Sequence, residues 1–258
     1  MKVVILAGGF GTRLGDLTEI LPKPMIDIGN MPILLHIMKI YSSYGFNDFV
    51  IALGYKAFEI KKYFSNFLLN TSNCHIDLSS GQIKFFKRED FDWKITLVDT
   101  GLNTMTGGRI KRLREFLGDE TFMLTYGDGV SDVNISDLYD FHKNKEKLLT
   151  VTAVRPIARF GELIIENNMV KNFYEKPQIS NGWINGGFFV CQPEIFNFLD
   201  NDQTIFEKEP METLSKINEL AAFEHHGFWH CMDTKRDKII LESLWNSKKA
   251  SWTKNWQK

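Results

Sequence analysis

The chain has 258 residues, 43% of them hydrophobic and 24% charged, with a formal net charge of -1. That length suits one large α/β domain or a domain with a modest extension, and the apolar content is ample for a single core. A balance so near zero gives no global field toward nucleic acid or an anionic membrane, so any phosphate binding has to come from local cations. No apolar run approaches membrane-spanning length, and Met1-Lys2 leads straight into a core strand rather than a signal peptide, so the cytoplasm is the expected location. Cys74, Cys191 and Cys231 are odd in number, widely separated and without a C-x-x-C pair. They read as reduced structural residues, not as a disulfide framework or a zinc site.

The first predicted element is a strand over Val3–Leu6 that breaks abruptly into Ala7-Gly8-Gly9-Phe10-Gly11-Thr12-Arg13-Leu14. Such a loop can lay backbone N–H groups against a ligand, or it can be a tight turn. Arg13 closes it with a planar cation, and about ten residues later Lys23, between Pro22 and Pro24, adds a second on a stiffened segment. Glycines with two cations suggest a polyphosphate site. Neither G-x-x-x-x-G-K-[ST] nor G-x-G-x-x-G is present, because Thr12-Arg13 and Leu14 stand where those patterns need other residues.

A helix near Pro32–Tyr44, a strand over Asp48–Leu53 and a helix over Lys56–Phe67 continue a β-α-β-α start. This predicts a parallel sheet with helices on both faces and ligands beyond the carboxyl ends of its strands. Asn70–Trp93 breaks the rhythm and reads as an insertion of small strands or a flap. After a strand over Ile95–Val98, Met105-Thr106-Gly107-Gly108-Arg109 opens a basic helix over Arg109–Phe116. This helix start favours phosphate or a polar base edge, unless it is a plain turn with a solvated basic face. The strand Thr121–Thr125 ends in Tyr126-Gly127-Asp128-Gly129, where Asp128 is either a turn former or a carboxylate presented to a divalent ion.

A helix near Asn134–Lys145 and a strand over Leu148–Val154 lead into a β-rich part: Gly161–Glu166, Met169–Tyr174 and Trp183–Val190. Within it, Glu175-Lys176-Pro177 is a surface charge pair or an anion clamp. Asn185 beside Gly186 and Gly187 offers paired donor and acceptor groups suited to sugar hydroxyls. The chain closes with a helix over Glu209–Asn218, a strand over Ala221–Glu224 and a helix over Thr234–Trp245. Asp233 precedes the last helix, as an N-cap or as a second metal ligand beside Asp128. His225, His226 and His230 lack helical ligand spacing and read as packing or rim residues. Trp252 and Trp256 read as subunit or domain packing.

Taken together, L-A-G-G-F-G-T-R-L, P-K-P-M, M-T-G-G-R, Y-G-D-G-V, E-K-P, I-N-G-G-F-F-V, H-G-F-W and M-D-T-K-R-D-K resemble the sugar-1-phosphate nucleotidylyltransferases. M-T-G-G-R and the H-G-F-W and M-D-T ending point to their cytidylyl branch, the glucose-1-phosphate cytidylyltransferases, also called CDP-glucose pyrophosphorylases. The resemblance runs from Met1 to about Trp256. It implies a single Rossmann-like domain over 1–258, with a mixed, mostly parallel sheet; residues 1–147 form the nucleotide-binding part, and 148–258 a β-rich sugar-binding and C-terminal part.

It also implies roles for individual residues. Leu6, Ala7, Gly8, Gly9, Phe10 and Gly11 cradle the nucleotide, with Thr12 and Arg13 at its phosphates and Lys23 on the α-phosphate and departing pyrophosphate. Thr104 and Arg109 lie in a second nucleotide-contacting loop, and Gly127 against the nucleoside. Asp128 and Asp233 bind Mg²⁺, Glu175 and Asn185 face the hexose, and Lys176 its phosphate. The implied substrates are CTP and glucose 1-phosphate, with Arg13, Lys23 and Asp128 as catalytic residues. A trimeric or hexameric homo-oligomer and a role in bacterial surface polysaccharide follow from the resemblance alone. Two alternatives stay open: a transferase using UTP, dTTP or another sugar 1-phosphate, and a non-catalytic sugar-nucleotide-binding subunit.

Overall fold

The computed structural model describes residues 1–86, 91–156, 162–174 and 182–256. The strands that build the site are β1 (Lys2–Ala7), β2 (Asp48–Leu53), β3 (Lys94–Asp99), β4 (Phe122–Tyr126), β5 (Gly129–Ser131), β6 (Leu149–Val154), β7 (Ile184–Asn185), β8 (Phe189–Cys191), β9 (Leu220–His225) and β10 (Trp229–Cys231). The main helices are α1 (Ile33–Ser42), α2 (Ala57–Ser65), α3 (Thr106–Arg112), α4 (Ile135–Lys145), α5 (Glu209–Lys216) and α6 (Lys235–Asn246).

The central sheet runs β3-β2-β1-β4-β8-β6, with β7 and β9 also pairing to β6. The pairs β1·β2, β1·β4, β2·β3 and β6·β9 are parallel, while β8 is antiparallel to both its neighbours and β7 antiparallel to β6. This is the expected mixed, mostly parallel arrangement.

Strand periodicity explains why both faces are covered. Val3, Ile5 and Ala7 point into one core with Ile37, Met38 and Tyr41 of α1, while Val4 and Leu6 point into a second core with Ile110, Leu113 and Leu214. Five of the six β1 residues are buried, each large aliphatic one contributing about 1.5–3 kcal/mol, so the strand is a fixed base for the loop that follows it.

Helix α1 begins after Pro32 as expected and buries eight of its ten residues, including His36. The His36 Nε2–H donates to the Ile28 carbonyl at 3.0 Å, and Nδ1 accepts from Trp252 Nε1 at 3.1 Å. Burial pushes this imidazole down to about 4, which keeps it neutral and able to receive the Trp252 indole. Trp252 is therefore packed inside the chain's own core, with Phe228 stacked on it at 5.3 Å.

Two expected elements differ in detail. The insertion is a hairpin, Asn73–Asp77 paired with Gln82–Phe86, preceded by a short helix over Phe67–Thr71. The basic helix begins three residues earlier than expected, at Thr106, and is interrupted at Leu113 before a short turn over Arg114–Leu117.

Candidate active site

β1 delivers the glycine loop to the carboxyl edge of the sheet. The Gly8 carbonyl accepts from the Tyr55 N–H at 3.1 Å and from Arg109 Nη2 at 3.0 Å, which fixes the loop from behind. Gly11 sits in the left-handed region with φ 65°, turning the chain into the short helix Thr12–Leu14. Among the described residues, the N–H groups of Gly9 to Arg13 donate to no protein acceptor. Backbone donors left this way need water or an anion.

The two cations meet two carboxylates that are far away in the chain. Lys23 Nζ lies 2.5 Å from Asp128 Oδ2 and 2.6 Å from Asp233 Oδ1, and Arg13 Nη1 lies 3.0 Å from Asp233 Oδ2. Pro22 caps the 3-10 turn Lys23–Met25 and Pro24 lies within it, holding Lys23 inward with its side chain only 13% exposed. The carboxylates converge because β5 and β10 pair antiparallel, with Gly129 opposite Cys231. Asp128 precedes the first of these strands and Asp233 follows the second.

The Asp233 carboxylate is free for this role because the helix cap is made without it. Thr234 is the N-cap of α6, and it closes a capping box with Asp237. Burial alone would raise the Asp233 pKa, but Lys23 and then Arg13 outweigh it and hold the group below its ordinary value. Burial likewise opposes the charge on Lys23, and Asp128 and Asp233 reverse that effect to raise its pKa.

Two carboxylates sharing one cationic centre suit Mg²⁺, which takes one or two protein carboxylates and completes its octahedron with water and phosphate oxygens. Among the described residues no group of three or more His, Cys, Asp and Glu could hold a metal ion.

The second glycine loop is arranged differently. The Met105 N–H donates to Asp202 O at 2.8 Å, and the Gly107 and Gly108 N–H groups donate to Thr204 O at 2.9 and 3.2 Å. A Cβ on Gly107 would lie 2.8 Å from the Thr204 carbonyl oxygen, and one on Gly108 2.6 Å from the Asp202 carbonyl oxygen. The expectation that this helix start offers its donors to a ligand is thus corrected: the glycines admit residues 202–204, whose carbonyls take the donors.

Arg109 is 5% exposed, and its guanidinium reaches five acceptors. They are Leu53 O, Thr100 Oγ1, Gly101 O, Gly8 O and Leu102 O, at 2.7–3.2 Å. It therefore ties the ends of β2 and β3 to the glycine loop. Thr104 is 8% exposed beside Gly101. Gly127 donates to the Leu6 carbonyl at 3.0 Å and packs where a Cβ would meet that oxygen and Pro24.

A cavity of about 810 Å³ opens beside the carboxylates, bordered by Arg13, Tyr126, Asp128, Asn185, Trp229 and Asp233 among others. Of the expected site residues, Leu6 to Thr12, Lys23, Thr104, Arg109 and Gly127 do not border it. Glu175 and Lys176 lie outside the described residues. His225 packs, with Nε2 3.2 Å from Phe228 O and 3.1 Å from Asp132; His230 borders the cavity 3.3 Å from Asp237, and His226 is exposed.

Residues 2–246 match the family model described as Nucleotidyl transferase. The chain is 50% identical over 258 residues to the glucose-1-phosphate cytidylyltransferase of Salmonella typhi, covering 100% of both chains. It belongs to the glucose-1-phosphate cytidylyltransferase family. A probable glucose-1-phosphate cytidylyltransferase of Bacillus subtilis (strain 168) is 44% identical, over 98% of this chain and 99% of that one. The fold is also that of UDP-glucose pyrophosphorylase complexed with UDP-glucose, at a TM-score of 0.70 and 17% identity over 96% of this chain and 98% of that one.

Three residues at the site of this cytidylyltransferase family member had no assigned role in the sequence reading. Trp229 Nε1 donates to Gly186 O at 2.7 Å, and Tyr126 Oη links Asn185 to Glu207. Trp229 and Tyr126 stand inside motifs that carry the family resemblance, which is a usable signal. Glu207 stands in no motif.

Proposed function

We propose that this chain transfers the cytidylyl group of CTP to α-D-glucose 1-phosphate, giving CDP-glucose and pyrophosphate. One observation carries the reading: Arg13, Lys23, Asp128 and Asp233 form a single hydrogen-bonded cluster beside a glycine loop with unused N–H groups. The sugar phosphate is already ionised at neutral pH, so its oxygen attacks the α-phosphorus without a general base, displacing pyrophosphate. Catalysis then consists of in-line placement of two polyanions and neutralisation of charge in the transition state.

In this scheme the N–H groups of Gly9 to Arg13 and the Arg13 guanidinium bind the triphosphate. Lys23 shifts from the carboxylates onto the α-phosphate and the leaving pyrophosphate. Asp128 and Asp233 hold Mg²⁺, which when bound neutralises phosphate oxygens and orients them. Asn185 hydrogen-bonds the hexose, and Glu175 and Lys176 complete the sugar-phosphate site.

The proposal treats the chain as one nucleotidylyltransferase domain, supported by a central sheet that draws strands from both halves. Cytoplasmic action is supported by three unpaired cysteines, and a homo-oligomer by the exposed apolar side chains Ile76, Ile83, Leu163, Met169 and Phe173 on two hairpins. Among the described residues no helix is long and apolar enough to cross a membrane.

The deciding assay offers each nucleoside triphosphate with a panel of sugar 1-phosphates and Mg²⁺ and measures pyrophosphate. Release with CTP and glucose 1-phosphate alone is the expected result. Release with another pair moves the specificity, and release with none makes the chain a binding subunit.

A further inference from the structure

Behind Asn185, at the edge of the cavity, runs a relay of side chains that the transfer chemistry above leaves unused. Asn185 Nδ2 donates to Tyr126 Oη at 3.1 Å, and Tyr126 donates to Glu207 Oε1 at 2.6 Å. The second oxygen of that carboxylate, Oε2, accepts from Thr106 Oγ1, also at 2.6 Å. Thr106 Oγ1 in turn accepts from the Phe206 N–H at 2.9 Å, and the two oxygens of Glu207 are thus held by Tyr126 of β4 and Thr106 of α3. At the other end of the relay, Asn185 Oδ1 accepts from the Gly187 N–H at 2.8 Å.

Two groups set the bond directions, the Glu207 carboxylate at one end and the Gly187 N–H, which can only donate, at the other. A carboxylate only accepts, so the single hydroxyl hydrogen of Tyr126 must point at Glu207. The same hydroxyl can then only accept from Asn185, which requires the amide to turn Nδ2 toward Tyr126 and Oδ1 toward Gly187. The Gly187 N–H demands the same turn, so the exposed amide is anchored at both ends.

We propose that Glu207 is a positioning residue of the sugar site: by aiming the Tyr126 hydroxyl, it anchors the Nδ2 end of the Asn185 amide, whose Oδ1 end the Gly187 N–H holds, so that the amide meets the hexose in one orientation. The free Nδ2 hydrogen and the second Oδ1 lone pair of Asn185 are then presented to sugar hydroxyls in one arrangement. The inference rests on the reading of Asn185 as a hexose contact. It gives the segment around Glu207, more than a hundred residues from Thr106 in sequence, a part in sugar recognition without contact to sugar.

The test is steady-state kinetics in both substrates on Glu207→Gln, Tyr126→Phe, Asn185→Ala and the double variant Asn185→Ala/Glu207→Gln, with thermal midpoints. Glu207→Gln keeps the shape but adds a donor, so Tyr126 is no longer obliged to accept from Asn185 and the Nδ2 anchor is lost. It should raise KM for glucose 1-phosphate about tenfold, with KM for CTP within about twofold and the midpoint within about 2 °C. Tyr126→Phe cuts the same relay while leaving Glu207 bonded to Thr106, and should reproduce the effect even where the glutamine variant folds poorly. Asn185→Ala should raise the same KM, and adding Glu207→Gln to it should change KM by less than about twofold.

If Asn185→Ala raises that KM but Glu207→Gln and Tyr126→Phe leave it unmoved, the relay is wrong and the hexose contact stands. Additive losses in the double variant would mean that Glu207 acts by another route. An unmoved KM in Asn185→Ala removes the hexose contact and the positioning role with it.

Discussion

The two glycine loops of this protein look alike in sequence and do opposite work. Each follows a sheet strand, carries adjacent glycines and precedes a basic residue. The first keeps its N–H groups from Gly9 to Arg13 free of protein acceptors and faces a cluster of charged side chains. The second spends its donors on the carbonyls of Asp202 and Thr204, and its glycines make room for that segment. A glycine pair at a helix start therefore reports close approach of something; only the three-dimensional neighbours tell whether it is a ligand or the chain itself. Arg109 joins the loops, since it belongs to the second and grips the Gly8 carbonyl of the first.

That joint is the place to strain the comparison hardest. Arg109→Ala would take a donor from five buried or half-buried acceptors, of which Gly8 O keeps Tyr55 and Leu53 O keeps Thr100, and should lower unfolding free energy by about 3 kcal/mol or more, read by urea denaturation. Unchanged stability with weakened CTP binding alone would make Arg109 a ligand contact and not a staple. Lys23→Ala should cut turnover by a factor on the order of a hundred or more while the protein remains folded, because one transition-state charge partner is lost. Turnover near that of the parent would take Lys23 out of the mechanism.

Smaller effects separate the loops themselves. Gly108→Ala should cost about 1–3 kcal/mol through its clash with the Asp202 backbone, with CTP affinity following stability. Gly9→Ala meets nothing within 4 Å and should leave stability within about 0.5 kcal/mol while weakening CTP binding, measured by calorimetry. If the two substitutions behave alike, the distinction between the loops collapses. Asp128→Asn should weaken Mn²⁺ binding about tenfold in a spectroscopic titration, in line with losing one of two charged ligands; equal binding would remove Asp128 from the metal site.

Much of the candidate site is legible in residues taken singly. The Val3–Leu6 strand, the cations Arg13 and Lys23, and Asp128 at a strand end all follow from patterning and chemistry. Other residues are not. Asp233 reads in sequence as an N-cap or a metal ligand, and the cap falls to Thr234 because Asp237 completes a box with it. Arg109 reads as a solvated or ligand-facing cation, yet it is buried under backbone carbonyls that arrive from three separate strand ends. Glu207 has no local mark at all, since its partners Tyr126 and Thr106 are 81 and 101 residues away.

What the sequence determined by itself was the class of fold and the kinds of group available. Hydrophobic period and glycine position are local quantities, and each strand and helix obeys them before it meets a neighbour. The tertiary structure alone decided which groups face each other. Antiparallel pairing of β5 with β10 brings Asp128 and Asp233 onto one ammonium, and seating residues 202–204 on α3 closes one glycine loop while the other stays open. Coulomb and hydrogen-bond energies depend on distances of a few ångströms between residues a hundred or more apart in the chain, and no local pattern encodes those distances.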